Sequence, residues 1–307
     1  MKCAQCREKA VIQMRHHRLA LCRPHYLDWF VDQTGRTIEK YHMFHRGHKL
    51  LVAVSGGKDS LALWDVLWRL GYTADGLYIH LGITGEDDYS TRSEQYARDF
   101  AAERGLQLKI INLQETYGGT TPSLAARTHQ GKQRPCGVCG LVKRHVMNAN
   151  AAQYGYDVLV TGHNLDDEAS VLFSNSMTWT VDSLRRQAPV LEEAPGLARK
   201  AKPLCRFYER ETAAYALLRG IEYIEEECPF AVGNRTLYFK EILNRLEAEH
   251  PGTKYNYYMA FLHARKNGLF AATAAEEVGE MHRCPVCGQP TTSTERCAFC
   301  RLVGQNA

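Results

Sequence analysis

Apolar residues along the chain fall into short unbroken runs alternating with stretches of helical spacing. Leu50-Leu51-Val52-Ala53-Val54 contains no polar residue, the pattern of a strand buried on both faces. In residues 60–70, Leu61, Trp64, Leu67 and Trp68 share one helical face, and the stretch stops at Gly71. The same reading predicts strands over 76–81, 108–113 and 157–161, with helices over 90–104 and 140–154. Strand–helix alternation implies an α/β domain whose parallel sheet is covered on both faces. Before it, the spacing of Phe30, Thr34, Ile38 and Tyr41 predicts a connecting helix over 31–48. Beyond residue 203 the pattern becomes more helical, over 208–218 and 236–248, and a strand is expected just before Cys228. The expected organisation is a small unit at 1–30, a linker helix at 31–48, the main domain at 49–280 and a second small unit at 281–307.

Composition fits an ordinary globular chain: 307 residues, 45% apolar and 23% charged. It excludes collagen-like and disordered classes. The longest strongly apolar run falls far short of the roughly 20 residues of a spanning helix. The start, Met1-Lys2-Cys3-Ala4-Gln5-Cys6-Arg7, lacks the apolar core of a signal peptide, so a cytoplasmic protein is expected. Thirty-eight basic against 34 acidic residues give +4, a balance compatible with a nucleic-acid partner without arguing for one.

The eleven cysteines change the picture, because most fall in CxxC pairs, the spacing of metal ligation or redox chemistry. Cys3-x2-Cys6 with Cys22-x2-His25, and Cys284-x2-Cys287 with Cys297-x2-Cys300, have the two-pair spacing of closed tetrahedral zinc sites. Small knuckles of that kind fold around their metal. Cys136-x2-Cys139 and Cys228 are three thiols, one short of a closed site. They fit three readings: a redox pair with Cys228 unrelated, a third zinc, or an iron–sulfur cluster bound through three irons with the fourth open. Spacing alone does not decide among them. Cys205 is expected to be a small buried hydrophobe.

The strand ending at Val54 runs into Ser55-Gly56-Gly57-Lys58-Asp59-Ser60 and then a helix. Glycines let the backbone approach a phosphate, and the unpaired amides of the helix start carry the positive end of its dipole. The loop is neither GxxxxGK[ST] nor GxGxxG. A second constellation, Thr161-Gly162-His163-Asn164-Leu165-Asp166-Asp167-Glu168, places acidic residues at a predicted helix start. There they can cap the helix or hold Mg2+ through oxygen ligands.

SGGKDS resembles the pyrophosphate-loop (PP-loop) signature of enzymes that cleave ATP between its α and β phosphates to adenylate an oxygen. The resemblance implies a doubly wound, mainly parallel, Rossmann-like sheet with ATP at the carboxyl ends of the strands. The order CxxC…CxxH, SGGKDS, CxxCG, LDDE, EECP and CxxC…CxxC is similar to that of the TtcA/TtuA family of tRNA 2-thiolation enzymes. Four stretches carry the likeness further: LALCRPHYLDWFV (19–31), VAVSGGKDSLALWDVL (52–67), GHNLDDEA (162–169) and LLRGIEYIEEECP (217–229). They point to the branch that thiolates the T-loop 5-methyluridine, position 54.

By that resemblance Cys136, Cys139 and Cys228 hold a 4Fe-4S cluster, and Lys143 and Asp167 form the catalytic pair, Asp167 orienting Lys143 or Mg2+. ATP binding falls to Ala53, Ser55, Gly56, Gly57, Lys58, Asp59, Ser60, Ile79, Lys143, Gly162 and Asp167. It further implies two Zn2+ in the terminal knuckles, a homodimer, tRNA as partner and a thiocarboxylated ubiquitin-like sulfur carrier. Cys205 has no ligand role in the family pattern. Basic residues at Lys132, Arg134, Lys143 and Arg144, and from Arg185 to Arg210, offer an RNA track, although such runs also serve as plain solvated surface. Two other functions remain open at this point. One is persulfide-based thiolation of a wobble uridine without a cluster, and the other a non-catalytic zinc-knuckle RNA-binding protein.

Overall fold

The computed structural model describes residues 1–84, 88–231, 235–270 and 281–304. The expected boundary at 280/281 adjoins residues 271–280, which lie outside the described residues, as do the last three residues of the C-terminal unit.

A hairpin of β1 (Ile12–Met14) and β2 (Leu19–Leu21) opens the chain and leads into α1 (Arg23–Lys40). Pro24 in the first turn of α1 suits a position where no amide partner is needed. The helix starts inside the first small unit and ends at Lys40, so the connecting helix expected over 31–48 is displaced toward the N-terminus. Its N-terminal turn is built by the CxxH segment itself. Phe30, Thr34 and Ile38 do face inward, as their spacing required.

The main domain runs β3 (Leu50–Val54), α2 (Lys58–Arg69), β4 (Ala74–His80), α3 (Tyr89–Arg104) and β5 (Leu108–Asn112). Three short helices follow, α4 (Leu113–Tyr117), α5 (Thr121–Ala126) and α6 (His129–Gln133), and then α7 (Pro135–Gln153). Next come β6 (Val158–Thr161), α8 (Leu165–Met177), α9 (Val181–Arg185), β7 (Val190–Leu191) and β8 (Arg199–Ala201). The chain then turns helical with α10 (Glu209–Arg219), α11 (Arg235–Glu249) and α12 (Thr253–Lys266). It ends in β9 (His282–Arg283), β10 (Pro290–Thr291) and α13 (Ala298–Val303). The strand expected just before Cys228 does not form; residues 221–228 are an irregular segment laid against the loop after β3. No described helix is long and apolar enough to cross a membrane.

The six-stranded sheet has the order β5-β4-β3-β6-β8-β7, parallel except for β7 against β8. The chain leaves β3 toward β4 and β5 on one side and returns to β6 on the other. The carboxyl ends of β3 and β6 therefore flank the topological switch point, where doubly wound sheets open a crevice. SGGKDS follows β3 and TGHN follows β6.

Both terminal units pack into the main core. Cys3, Met14, Leu21 and Cys22 share an apolar cluster with β3 and α2. Cys284, Cys297, Phe299 and Cys300 share another with Val142 and Val146 of α7. Asp65 of α2, fully buried, accepts from Arg104 at 2.9 Å, Arg219 at 3.0 Å and Tyr215 Oη at 2.7 Å, tying α2 to α3 and α10.

Candidate functional site

The loop after β3 is held by its own hydroxyls. The Ser55 amide donates to Ser60 Oγ at 3.1 Å, and Ser60 Oγ donates to the Gly57 carbonyl at 2.9 Å. Gly56 has φ +75°, and a Cβ there would lie 2.1 Å from the Ser93 carbonyl oxygen. Gly162 meets a different limit: a Cβ would lie 2.8 Å from the Asp59 carbonyl oxygen. The β6 turn can pass against the start of α2 only without a side chain. Gly57 caps α2 with no side-chain bond, leaving its first amides facing the crevice.

A cavity of about 270 Å³ opens there, lined by Ala53, Ser55, Asp59, Ser60, Ile79, Lys143, Gly162 and Asp167 among others. Ala53, Ser55, Ile79, Lys143, Gly162 and Asp167, expected together from the sequence, therefore do meet. Lys58 points elsewhere: its Nζ sits 2.7 Å from Glu209 and 3.2 Å from Asp59. It lines a larger cleft of about 800 Å³ together with Asp166, Glu209 and Lys254. That cleft lacks the loop hydroxyls and Gly162, which line the smaller cavity.

The Asp166-Asp167-Glu168 run divides by helical angle. Asp166 is buried, 2.5 Å from Lys254 Nζ, and accepts the Glu209 amide at 2.9 Å. Glu168 is buried against Lys202 at 2.7 Å and Tyr258 Oη at 3.1 Å. Only Asp167 faces the cavity. Its Oδ2 accepts the Asn164 amide at 3.1 Å in a capping box. Its Oδ1 pairs with Lys240 at 2.8 Å. The lysine paired with Asp167 is Lys240, from α11, while Lys143, expected to share the site with Asp167, lines the same cavity. Burial lifts Asp59 above the usual carboxylate value, Lys58 opposes this, and Asp167 lifts it again, so the two carboxylates feel each other across the site. Burial also raises Glu209, but Lys240 and Lys58 outweigh it and hold the group at about 2.

Cys136 and Cys139 occupy the first turns of α7, which starts earlier than the sequence pattern predicted, with Pro135 in its opening turn. A separation of three residues puts both sulfurs on one helix face. Cys228 arrives on the irregular segment, where the Ile224 amide donates to the Gly56 carbonyl at 3.0 Å and so anchors this segment to the phosphate loop. Cys136 Sγ donates to the Phe230 carbonyl at 2.9 Å. The Cys136 thiol is raised by burial, then by Cys139 and Cys228, with Lys143 opposing. The Cys139 thiol is raised by burial, with Lys143 the largest opposing influence and Cys228 adding to the rise. The three thiols and Lys143 form one neighbourhood, and Lys143 also lines the cavity. Their sulfurs do not all lie within 4.8 Å of one another, unlike the knuckle ligands. That spacing is not the one a single zinc takes, and it leaves room for a cluster whose sulfurs sit on separate irons.

The terminal sets fit single ions. Cys3, Cys6, Cys22 and His25 offer atoms all within 4.8 Å, as do Cys284, Cys287, Cys297 and Cys300. Sulfur–sulfur distances of 3.6 Å (Cys6–Cys22) and 3.7 Å (Cys287–Cys297) approach the edge of about 3.8 Å for a tetrahedron with ~2.3 Å zinc–sulfur bonds. A third group, His16, His17 and Glu211, is equally close-set. Burial raises Glu211 to about 8 and lowers His16 to about 3, so burial disfavours the charged form of each. Arg210 and Lys254 add positive charge near His16. His16 Nε2 stands 3.3 Å from Glu211 Oε1. Cys205 is fully buried, as expected.

Part of the basic track is internal. Arg199 pairs with Glu192 and donates to the Met43 carbonyl at 3.0 Å, Lys202 holds Glu168, and Arg206 donates to Tyr255 Oη at 2.6 Å. Sequence reading missed Glu209 and Lys240. They lie on α10 and α11 among ordinary polar residues, and no local motif marks them.

Residues 2–27 match the family described as 2-thiouridine synthetase TtuA, N-terminal LIM domain, and residues 30–230 match the PP-loop domain. The chain is 50% identical over 302 residues to a tRNA-5-methyluridine(54) 2-sulfurtransferase of Thermus thermophilus, covering 98% of this chain and 91% of that protein. It is 41% identical to the protein of the same name from Pyrococcus horikoshii, covering 99% and 94%. A U34-tRNA thiolase from Methanococcus maripaludis, solved with its 4Fe-4S cluster, shares the fold. Its TM-score is 0.80 at 24% identity, covering 98% of this chain and 95% of that one.

Proposed function

The chain belongs to the PP-loop family of tRNA 2-thiolation sulfurtransferases, and from that premise we propose that its substrate is the T-loop 5-methyluridine, position 54, of tRNA. The enzyme uses ATP to turn the uracil O2, a poor leaving group, into a good one. The oxygen attacks the α-phosphorus, pyrophosphate leaves, and sulfur entering at C2 expels AMP.

The chain's own groups divide this work. The amides of Gly56, Gly57 and the α2 start, with Ser55 and Ser60, hold the phosphates. Ala53 and Ile79 line the space for the nucleoside. Lys143, between the thiols and the cavity, neutralises charge growing on the α-phosphate, a preorganised electrostatic role. Asp167 and Asp59 present oxygen donors of the kind Mg2+ takes, which offsets triphosphate charge. Cys136, Cys139 and Cys228 would hold a 4Fe-4S cluster, which when bound supplies an iron with no protein ligand for holding the sulfur to be transferred. Each terminal knuckle holds one structural Zn2+. A homodimer in the cytoplasm, served by a thiocarboxylated ubiquitin-like sulfur carrier, completes the reading.

One observation supports it above the rest: Lys143 both lines the cavity and lies against Cys139, while the Ile224–Gly56 bond ties the segment that carries Cys228 to the loop after β3. The test is mass spectrometry of tRNA nucleosides after anaerobic reaction with ATP and sulfide. Appearance of 5-methyl-2-thiouridine is expected. Thiolation confined to a wobble uridine, or none despite ATP turnover, would overturn the assignment.

A further inference from the structure

Five charged side chains and one amide close a ring at the phosphate end of the cavity. Lys58 bonds Glu209 at 2.7 Å, Glu209 bonds Lys240 at 2.9 Å, and Lys240 bonds Asp167 at 2.8 Å. Asn164 joins Asp167 to Asp59, with its amide on one carboxylate and its side chain on the other, both at 3.1 Å. Asp59 closes the ring on Lys58 at 3.2 Å. Asp59 and Asp167 line the nucleotide cavity, whereas Lys58 and Glu209 line the larger cleft, so the ring forms part of the partition between the two. Lys240 is held over it by the packing of α11 on α8, where Phe239 meets Phe173 edge to face at 5.4 Å.

Two ammonium groups against three carboxylates leave the ring net negative. A triphosphate cannot settle against that charge, and a divalent cation cannot take Asp167 Oδ1 while Lys240 occupies it. Resting on the ATP reading above, we infer that Lys240 is a positioning residue that guards Asp167 until nucleotide arrives, and that binding proceeds by exchange of partners. Asp167 and Asp59 pass to the divalent cation. Lys240 and Lys58, released from the carboxylates, turn to the phosphate oxygens. Glu209 is the clamp that keeps both lysines off the phosphate site beforehand.

The test uses the full chain, Mn2+ as a spectroscopic probe of the cation, and a non-hydrolysable ATP analogue. Lys240→Met is expected to bind Mn2+ alone about tenfold more tightly than wild type, because Asp167 is freed, and the Mn2+–analogue complex about tenfold more weakly, the size of one charge-assisted contact. Lys240→Arg restores analogue binding. Glu209→Gln, which keeps both lysines but loosens the clamp, is expected to tighten analogue binding and covers the case in which Lys240→Met folds poorly. Unchanged Mn2+ and analogue affinities in Lys240→Met and Glu209→Gln would overturn the inference while leaving the ATP reading intact. Failure of the wild-type chain to bind the analogue would instead remove the ATP reading.

Discussion

Phe299 of the C-terminal knuckle connects that module to the helix bearing Cys136, Cys139 and Lys143. Its ring is 1% exposed and stacks on His145 of α7 at 3.7 Å with an 11° interplanar angle, and Tyr117 meets it edge-on at 5.0 Å. Around it, Gln289 Nε2 donates to the His145 carbonyl at 3.0 Å, and Arg127 donates to the Leu302 and Val303 carbonyls at 3.2 and 3.1 Å. Truncation to alanine removes a fully buried aromatic, a loss of about 3–5 kcal/mol, within which the ring stacking accounts for roughly 0.5–1.5 kcal/mol. Against a typical stability of roughly 5–15 kcal/mol the domain should remain folded. The knuckle, however, loses its main anchor on α7. Phe299→Ala is therefore expected to lower the urea midpoint and to reduce iron retention after anaerobic reconstitution. His145 supplies an independent readout. Burial holds its pKa at about 4, so the stacked imidazole is neutral. Undocking exposes the ring, and NMR titration should show the value rising toward 6.5. A stability loss below about 1 kcal/mol, smaller than any buried aromatic truncation should give, together with an unmoved His145 titration, would refute the coupling.

Other substitutions test separate steps. Cys136→Ser, Cys139→Ser and Cys228→Ser are each expected to abolish thiolation while analogue binding stays near wild type by calorimetry; thiolation retained in all three would remove them from the mechanism. Gly162→Ala forces a Cβ to within 2.8 Å of backbone and is expected to weaken nucleotide binding at least about tenfold, some 1.4 kcal/mol. Cys3→Ser should cost thermal stability and one equivalent of zinc without changing the chemistry of the surviving folded protein; lost metal with an unchanged melting temperature would contradict it. Glu211, raised to about 8, favours folding when protonated, so its contribution is complete below about 4.5 and is lost as pH rises to about 8. His16, lowered to about 3, acts oppositely, its contribution falling away below about 6.5. Between pH 6.5 and 8 only Glu211 of this pair acts. Wild-type stability should fall there by up to about 1.4 kcal/mol per pH unit relative to Glu211→Gln. Parallel curves for the two proteins would refute that reading.

The parts of the site legible in the sequence were those whose chemistry is local. SGGKDS after Leu50–Val54 forms the strand–loop–helix turn that its glycines predicted. Gly162 and Asp167 were legible for the same reason. The knuckles carried their ligands in close pairs. Harder to read were features set by tertiary packing. The Asp166-Asp167-Glu168 run gave no sign that two of its carboxylates would be buried by Lys254 and Lys202. Lys240 and Glu209 reach Asp167 only because α10 and α11 pack beside the start of α8. The segment before Cys228 read as a strand, but it is irregular and bonds to the Gly56 carbonyl instead of joining the sheet. The earlier start of α7 did have a signal, Pro135 at a position that favours a helix N-terminus. Its consequence is functional, because it moves the CxxC pair from a loop onto a helix face.

The central claim is that three thiols from two distant stretches of chain hold one iron–sulfur cluster at the nucleotide cavity. Iron and labile sulfide, measured on protein prepared without oxygen, test it most directly. Equal amounts of the two, abolished by Cys228→Ser while both zinc equivalents stay bound, are the expected result. Iron-free wild-type protein that still thiolates tRNA would contradict the claim and leave a persulfide on Cys136 or Cys228 as the carrier of sulfur.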